Sequence, residues 1–181
     1  MDLFVENGFE ETTVAHIADR AGLNRATFFR HFADKREVLF GGEDVLAGLF
    51  AEGVRAAAAD ATPAQCLQAA FAATDVAMTP QRRAMAAQRM RVVAASSELQ
   101  ERGLLKHARI AAALSAALRE RGTDDLTARL AAQMALLAFA TAVERWMKAE
   151  DDEAFPPLAQ AALRDLQERV TELDTRPRLS T

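Results

Sequence analysis

Residues Thr12–Lys35, TTVAHIADRAGLNRATFFRHFADK, decide the reading of this chain, because they spell two short amphipathic helices joined by a tight turn. Val14, Ile17, Ala18 and Ala21 recur at helical spacing and give the first helix one apolar face. Gly22 is expected to end that helix in the left-handed region, which glycine adopts at little cost. Leu23 is expected to plug the angle between the helices, and Asn24 is a good N-cap for the second. That second helix, Arg25 to Phe32, turns Phe28 and Phe32 inward and leaves Arg25, Ala26, Thr27, Phe29, Arg30 and His31 largely outward. Ala18 and Gly22 are four apart, a small-residue spacing that lets two helices cross closely around a short turn.

The pattern is a helix-turn-helix, and the wider run LFVENGFEETTVAHIADRAGLNRATFFRHFADKREVLF narrows it. Phe4, Gly8-Phe9, Thr13-Val14, Ile17-Ala18, Ala21-Gly22, Thr27, His31-Phe32, Lys35 and Leu39 follow one another as landmarks. In these the chain resembles the DNA-binding domain of the TetR family of bacterial transcriptional repressors. It departs from that family at Phe29, where a tyrosine is usual, and at Ala26, where glycine is frequent. The resemblance implies an all-α fold of about nine helices. An N-terminal three-helix DNA-binding domain would occupy residues 1–40, and a helical effector-binding and dimerisation domain residues 41–173. Asp174–Thr181 is expected to be a disordered tail.

Composition agrees with a helical protein. Of 181 residues, half are hydrophobic, 41 are alanine and none is tyrosine. The net charge of −4 does not advertise nucleic-acid binding, yet residues 20–36 hold Arg20, Arg25, Arg30, Lys35 and Arg36 against Asp34 alone. The lone cysteine, Cys66, allows no intrachain disulfide and fits a reducing cytoplasm; on a helix among alanines it reads as core rather than nucleophile. No apolar run approaches membrane-spanning length and no segment reads as a signal peptide, so no membrane partner is expected.

Along the chain, Met1–Asn7 reads as the end of a helix, with Leu3 and Phe4 facing in and Gly8 closing it. The resembling family has a longer first helix. Either Met1 is internal to a longer natural chain or the helix is shortened; so few residues are marginal unless packed, and the end is expected to fray. Asp34 and Glu37 form a capping-box pattern, opening a helix through Leu39, Leu46 and Phe50 that Gly41-Gly42 is expected to interrupt. Thr62-Pro63 opens a helix through Leu67, Phe71 and Met78, and Thr79-Pro80 opens another through Met85 and Met90. Ser97 with Gln100 is a further capping-box pattern, starting a helix to about Arg121 that Gly122 stops. Thr123-Asp124-Asp125 caps a helix from Leu126 to about Ala149. DDEAFPP is expected to be a loop, and a last helix to run from Pro157 to about Leu173.

For DNA, Arg25 is the leading base reader, since a guanidinium fits guanine O6 and N7 bidentately, while Ala26 and the Thr27 methyl suit thymine methyls. The resemblance implies that Thr13, Thr27, His31 and Lys35 contact phosphate. Asn24 sits at the edge of this set, Phe29 can only pack against sugar or a thymine methyl, and Arg30 is either a DNA contact or a solvated charge. Nothing points to catalysis, a cofactor or a metal: His16, His31, His107 and Cys66 have no ligand spacing, and phosphate-loop and nucleophile-elbow patterns do not occur.

A pocket for a small apolar or amphipathic effector is implied by the resemblance, with Phe50, Phe71, Met78, Met85, Met90, Phe139 and Trp146 as lining or as ordinary core. Arg82, Arg83, Arg89 and Arg91 either meet an anionic effector such as an acyl-thioester or lie on a solvated helix face. Leu130, Met134, Leu137 and Thr141 belong to a helix apolar nearly all round, and Leu158, Ala162, Leu166 and Val170 form a stripe on the last one. Two such helices from each of two subunits would make the four-helix interface of a homodimer. The expected function is thus a repressor that binds a near-palindromic double-stranded DNA operator as a homodimer and is released by an effector. The alternative is an effector-binding or scaffold protein that has lost DNA binding.

Overall fold

A computed structural model describes residues 1–149 and 153–173, with the backbone alone at 41–44. Asp174–Thr181 and Asp151-Asp152 of the expected loop lie outside the described residues. Among the described residues the chain is all-α, with nine helices and one 3-10 turn. The order is α1 Asp2–Glu11, α2 Val14–Arg20, α3 Arg25–His31, α4 Glu37–Ala56, α5 Pro63–Ala73, the 3-10 turn Asp75–Ala77, α6 Pro80–Ala94, α7 Ser97–Glu120, α8 Asp125–Lys148 and α9 Phe155–Glu172.

Local chemistry sets most of these boundaries. Thr62 accepts the Gln65 amide at 3.3 Å and Gln65 returns the bond at 2.8 Å, ahead of Pro63. Thr79 accepts from Arg82 at 3.2 Å, and Asp124 from Thr127 at 3.0 Å. Caps of this kind contribute about 1 kcal/mol each. Two expected boxes are not completed. Asp34 accepts the Glu37 amide at 3.3 Å and the Arg36 amide at 2.8 Å, but the Glu37 side chain turns to Arg102 instead of returning a bond. At α7 the N-cap is Ser96 with no side-chain bond, and Gln100 donates back to the Ala94 carbonyl.

Three further expectations are corrected. α4 runs unbroken through Gly41-Gly42, because its flanks are fixed by packing on α7 and α5. α5 ends at Ala73, so Met78 closes the 3-10 turn rather than extending the helix. α9 starts at Phe155, two residues early, since Pro156 and Pro157 sit in its first turn where no amide partner is needed.

The main core lies among α4, α5, α7, α8 and α9. α4 and α7 run parallel, tied at one end by Arg36–Glu98 (2.7 Å) and at the other by Arg55–Glu120 (2.7 Å). The α4–α5 crossing depends on Gly53, where a Cβ would fall 2.6 Å from the Ala70 Cα. No side chain fits there. A chain of rings, Phe71–Phe50–Phe139–Phe155–Trp146, threads this core with centroids 5.0–6.0 Å apart. α8 contributes an inner face of small residues, Ala128, Ala131, Ala132, Ala135, Ala138 and Ala142, all buried.

α8 also overturns the expectation of no span-length apolar run. By length and composition alone it could cross a membrane, with a mean hydropathy of 1.5 in its best window. Its alanine face, however, is the wall of the bundle core. A second, smaller core of Phe4, Phe9, Leu39, Phe40, Val92 and Leu99 fastens the N-terminal helices to α6 and α7. Phe4, buried in it, anchors the short α1 that the sequence alone makes marginal.

Candidate nucleic-acid interface

The α2–turn–α3 unit forms as its residues suggest. Thr13 and His16 make a reciprocal capping box at the start of α2, and Gly22 takes a positive φ of 65°. Asn24 accepts the Thr27 amide at 2.8 Å and so starts α3. Phe28 is the buried anchor of α3; Phe32 packs on it at 5.3 Å but is only half-buried. Leu23 does not plug the interhelical angle: it is 43% exposed, and Ala21 is exposed as well. The turn is held instead by backbone bonds, chiefly from the Leu23 amide to the Ala18 carbonyl at 2.9 Å.

Arg25, Ala26, Phe29, Arg30 and His31 are all exposed on α3, with Thr13 and Asn24 exposed beside them and Thr27 half-buried. Phe29 is half exposed and sets its ring edge-on against Phe28, 5.5 Å away.

The basic footprint is narrower than a count of charges suggests. Arg20 pairs with Glu6 at 3.0 Å. Arg36 holds Asp34 and Glu98, and that guanidinium keeps the Asp34 carboxyl below the usual aspartate range. Lys35 donates to the carbonyls of Phe9 at 2.7 Å and Glu10 at 3.1 Å, with its charge 4.2 Å above the Phe9 ring. Arg25 and Arg30 remain as the cations of this stretch held by no ion pair among the described residues.

Just behind the interface is a cluster that the sequence reading missed. Glu37 receives Arg102, and Lys106 lies 3.5 Å from its other oxygen with only 2% of the lysine exposed. The available signal was a lysine inside the apolar stripe Leu99, Lys106, Ile110 of α7. Arg89 belongs to the same joint, donating to the Leu39 carbonyl at 3.4 Å and lying over Phe40, and so ties α6 to α4.

The expected pocket lining is split. Phe50, Phe71, Phe139 and Trp146 stack in the aromatic chain, and Met78 is buried beside it. Met85 and Met90 are exposed on α6, since that helix has no continuous apolar face to turn inward. An open cleft of about 280 Å³ lies at the end of the chain, lined by Asp75, Met78, Thr79, Pro80, Arg83, Trp146, Glu153 and Ala154.

The expected interface residues separate likewise. Leu130 and Leu137 are exposed on the outer face of α8, with Met134 and Thr141 half-buried at its edge. On α9, Ala162 is fully buried in its own core and unavailable to a partner, while Leu158 and Leu166 are half-buried. Val170 is exposed, because the stripe runs on past the end of the core.

Comparison with known proteins agrees with this architecture. Residues 1–40 match the family model of bacterial regulatory proteins, tetR family, and residues 43–171 match that of the MftR C-terminal domain. The chain is 36% identical over 73 residues to the HTH-type transcriptional regulator TcmR of Streptomyces glaucescens, a match spanning 40% of this chain and 32% of that protein. A transcriptional regulator from Aquifex aeolicus VF5 is similar in fold, with a TM-score of 0.54 at 17% identity over 93% of each chain. Another from Rhodococcus sp. Rha1 gives 0.52 at 24% identity, over 97% of this chain and 94% of that one. With a DNA-binding family model at its start and a regulator's C-terminal domain over most of the remainder, the chain belongs to the TetR family of bacterial transcriptional regulators.

Proposed function

We propose that this regulator is a cytoplasmic repressor that grips a near-palindromic operator as a homodimer and lets go when a small apolar or amphipathic effector binds. The observation that carries the reading is α3 itself: a short helix whose only buried ring is Phe28 and whose Arg25, Ala26, Phe29, Arg30 and His31 all face outward. In a major groove, Arg25 reads guanine from the start of the helix and Ala26 and the Thr27 methyl meet thymine methyls. Phe29 packs on sugar or a methyl, and Thr13 and His31 position the backbone.

The dimer is supported by the outer face of α8, where Leu126, Leu130 and Leu137 stand exposed at helical spacing, and by Val170, exposed on α9. A second copy of the same face covers them in a four-helix contact. For the effector, the support is the aromatic chain ending in the Trp146 cleft. The rings fill the bundle, so an effector entering there must separate them, and that displacement is how it strains α4.

Fluorescence anisotropy with duplexes selected from a random pool tests the reading. The expected result is sequence-dependent binding at least about a thousandfold tighter than to random DNA, falling steeply with salt. Uniformly weak binding to every duplex would favour the scaffold alternative.

A further inference from the structure

Three consecutive residues after α3 reach in different directions. Lys35 binds the carbonyls of Phe9 and Glu10, Arg36 holds Asp34 and Glu98, and Glu37 receives Arg102. The carbonyls that Lys35 holds belong to the last turn of α1, where no amide of the helix is left to pair with them and a cation is favoured. That turn is itself set at an angle. Gly8, with φ 81° and ψ 167°, breaks α1, and its left-handed backbone is one that a side chain would strain. Thr12, wholly buried, closes the break by donating from Oγ1 to Gly8 at 2.7 Å while standing 3.1 Å from the Leu3 carbonyl. The next residue, Thr13, caps α2. Lys35 thus ties the last turn of α1, just ahead of the segment that caps α2, to the loop that follows α3.

We propose that Lys35 is a positioning residue for operator binding: it sets the angle between the start of α2 and the recognition helix α3 by clamping the end of α1, and its charge is spent on those carbonyls rather than on phosphate. This rests on the reading of α3 as the helix that enters DNA. The two roles for the lysine differ in what they change. A phosphate contact adds one released counterion on any duplex, so its loss lowers the salt slope by about one unit and weakens all DNA alike. A clamp changes alignment, which base contacts feel and non-specific contacts do not.

The experiment compares wild type, Lys35→Met and Thr12→Val on a selected operator and on random duplex, across a salt series well below each melting temperature. Thr12 is buried and cannot touch DNA, so it loosens the same joint without removing a charge. Both variants are expected to lose about tenfold on the operator, the scale of one misaligned base contact, with random-duplex affinity and salt slope as in wild type. Amide exchange at residues 12–18 is expected to quicken in both. A slope lowered by one unit with equal loss on both duplexes, for Lys35→Met alone, would overturn the proposal in favour of phosphate contact. Lower melting temperatures with unchanged operator affinity would also overturn it, leaving only a structural role. A wild-type protein that distinguishes no duplex sinks the regulator reading and the positioning role with it; the exchange difference would still mark the clamp.

Discussion

α3 and α8 both present an exposed face, and they are built in opposite ways. α3 has seven residues, one buried ring, and an outer surface that mixes arginine, alanine, phenylalanine and histidine. α8 has 24 residues, a whole inner face of buried alanines, and an outer face led by Leu126, Leu130 and Leu137. A helix that must meet and leave a charged, hydrated ligand needs polar groups held in place and little apolar area. A helix that meets another copy of itself needs apolar area and a stiff backing, which close-packed alanine supplies. On the proposed function, that difference is the one between a reversible contact and a lasting one.

The sharpest way to break this contrast is to remove the single anchor of α3. Phe28→Ala should cost about 3–5 kcal/mol, more than a domain with so small a core can absorb. DNA binding should vanish while circular dichroism still reports a cooperatively folded bundle. If binding survives, α3 is supported by something besides that ring.

Next in size is Leu137→Asp, 55% exposed in the single chain and so harmless to its fold. In a dimer it buries an unpaired charge, and two half-sites no longer bind together, so operator affinity should drop by about a hundredfold or more. Sedimentation should report monomers. An unaltered dimer would place the interface elsewhere.

Arg25→Ala should cost about 1–3 kcal/mol on the operator and relax one base position. A loss spread evenly over an operator mutant panel would make Arg25 a phosphate contact instead.

The smallest effect concerns the Asp34–Arg36 pair. The Arg36 hydrogen bond holds the Asp34 carboxyl low in the folded state, so the unfolded chain binds the proton more readily. The stabilisation is therefore complete above about pH 4 and disappears as pH falls through the depressed folded value. Urea unfolding from pH 6 to 3 should find wild type more stable than Asp34→Asn at the upper end and the two converging at the lower. A constant difference would contradict the pair's role.

Much of this was written into local residues. The turn between α2 and α3, the threonine and aspartate caps at Thr62, Thr79 and Asp124, the stop at Gly122 and the inward Phe28 each depend on neighbours within a few positions, and the sequence alone determined them. The family followed from their spacing. What only the tertiary structure decided depends on partners far along the chain. Lys35 reads as one more cation for DNA until the end of α1, 25 residues earlier, is brought beneath it. Glu37 reads as half of a capping box until Arg102 arrives from 65 residues away. Ala162 and Leu137 look alike as members of apolar stripes, and burial alone tells that one is core and the other is surface. A periodic pattern records that a face is apolar; which body covers it, its own bundle or a second chain, is settled by where the neighbouring helices end.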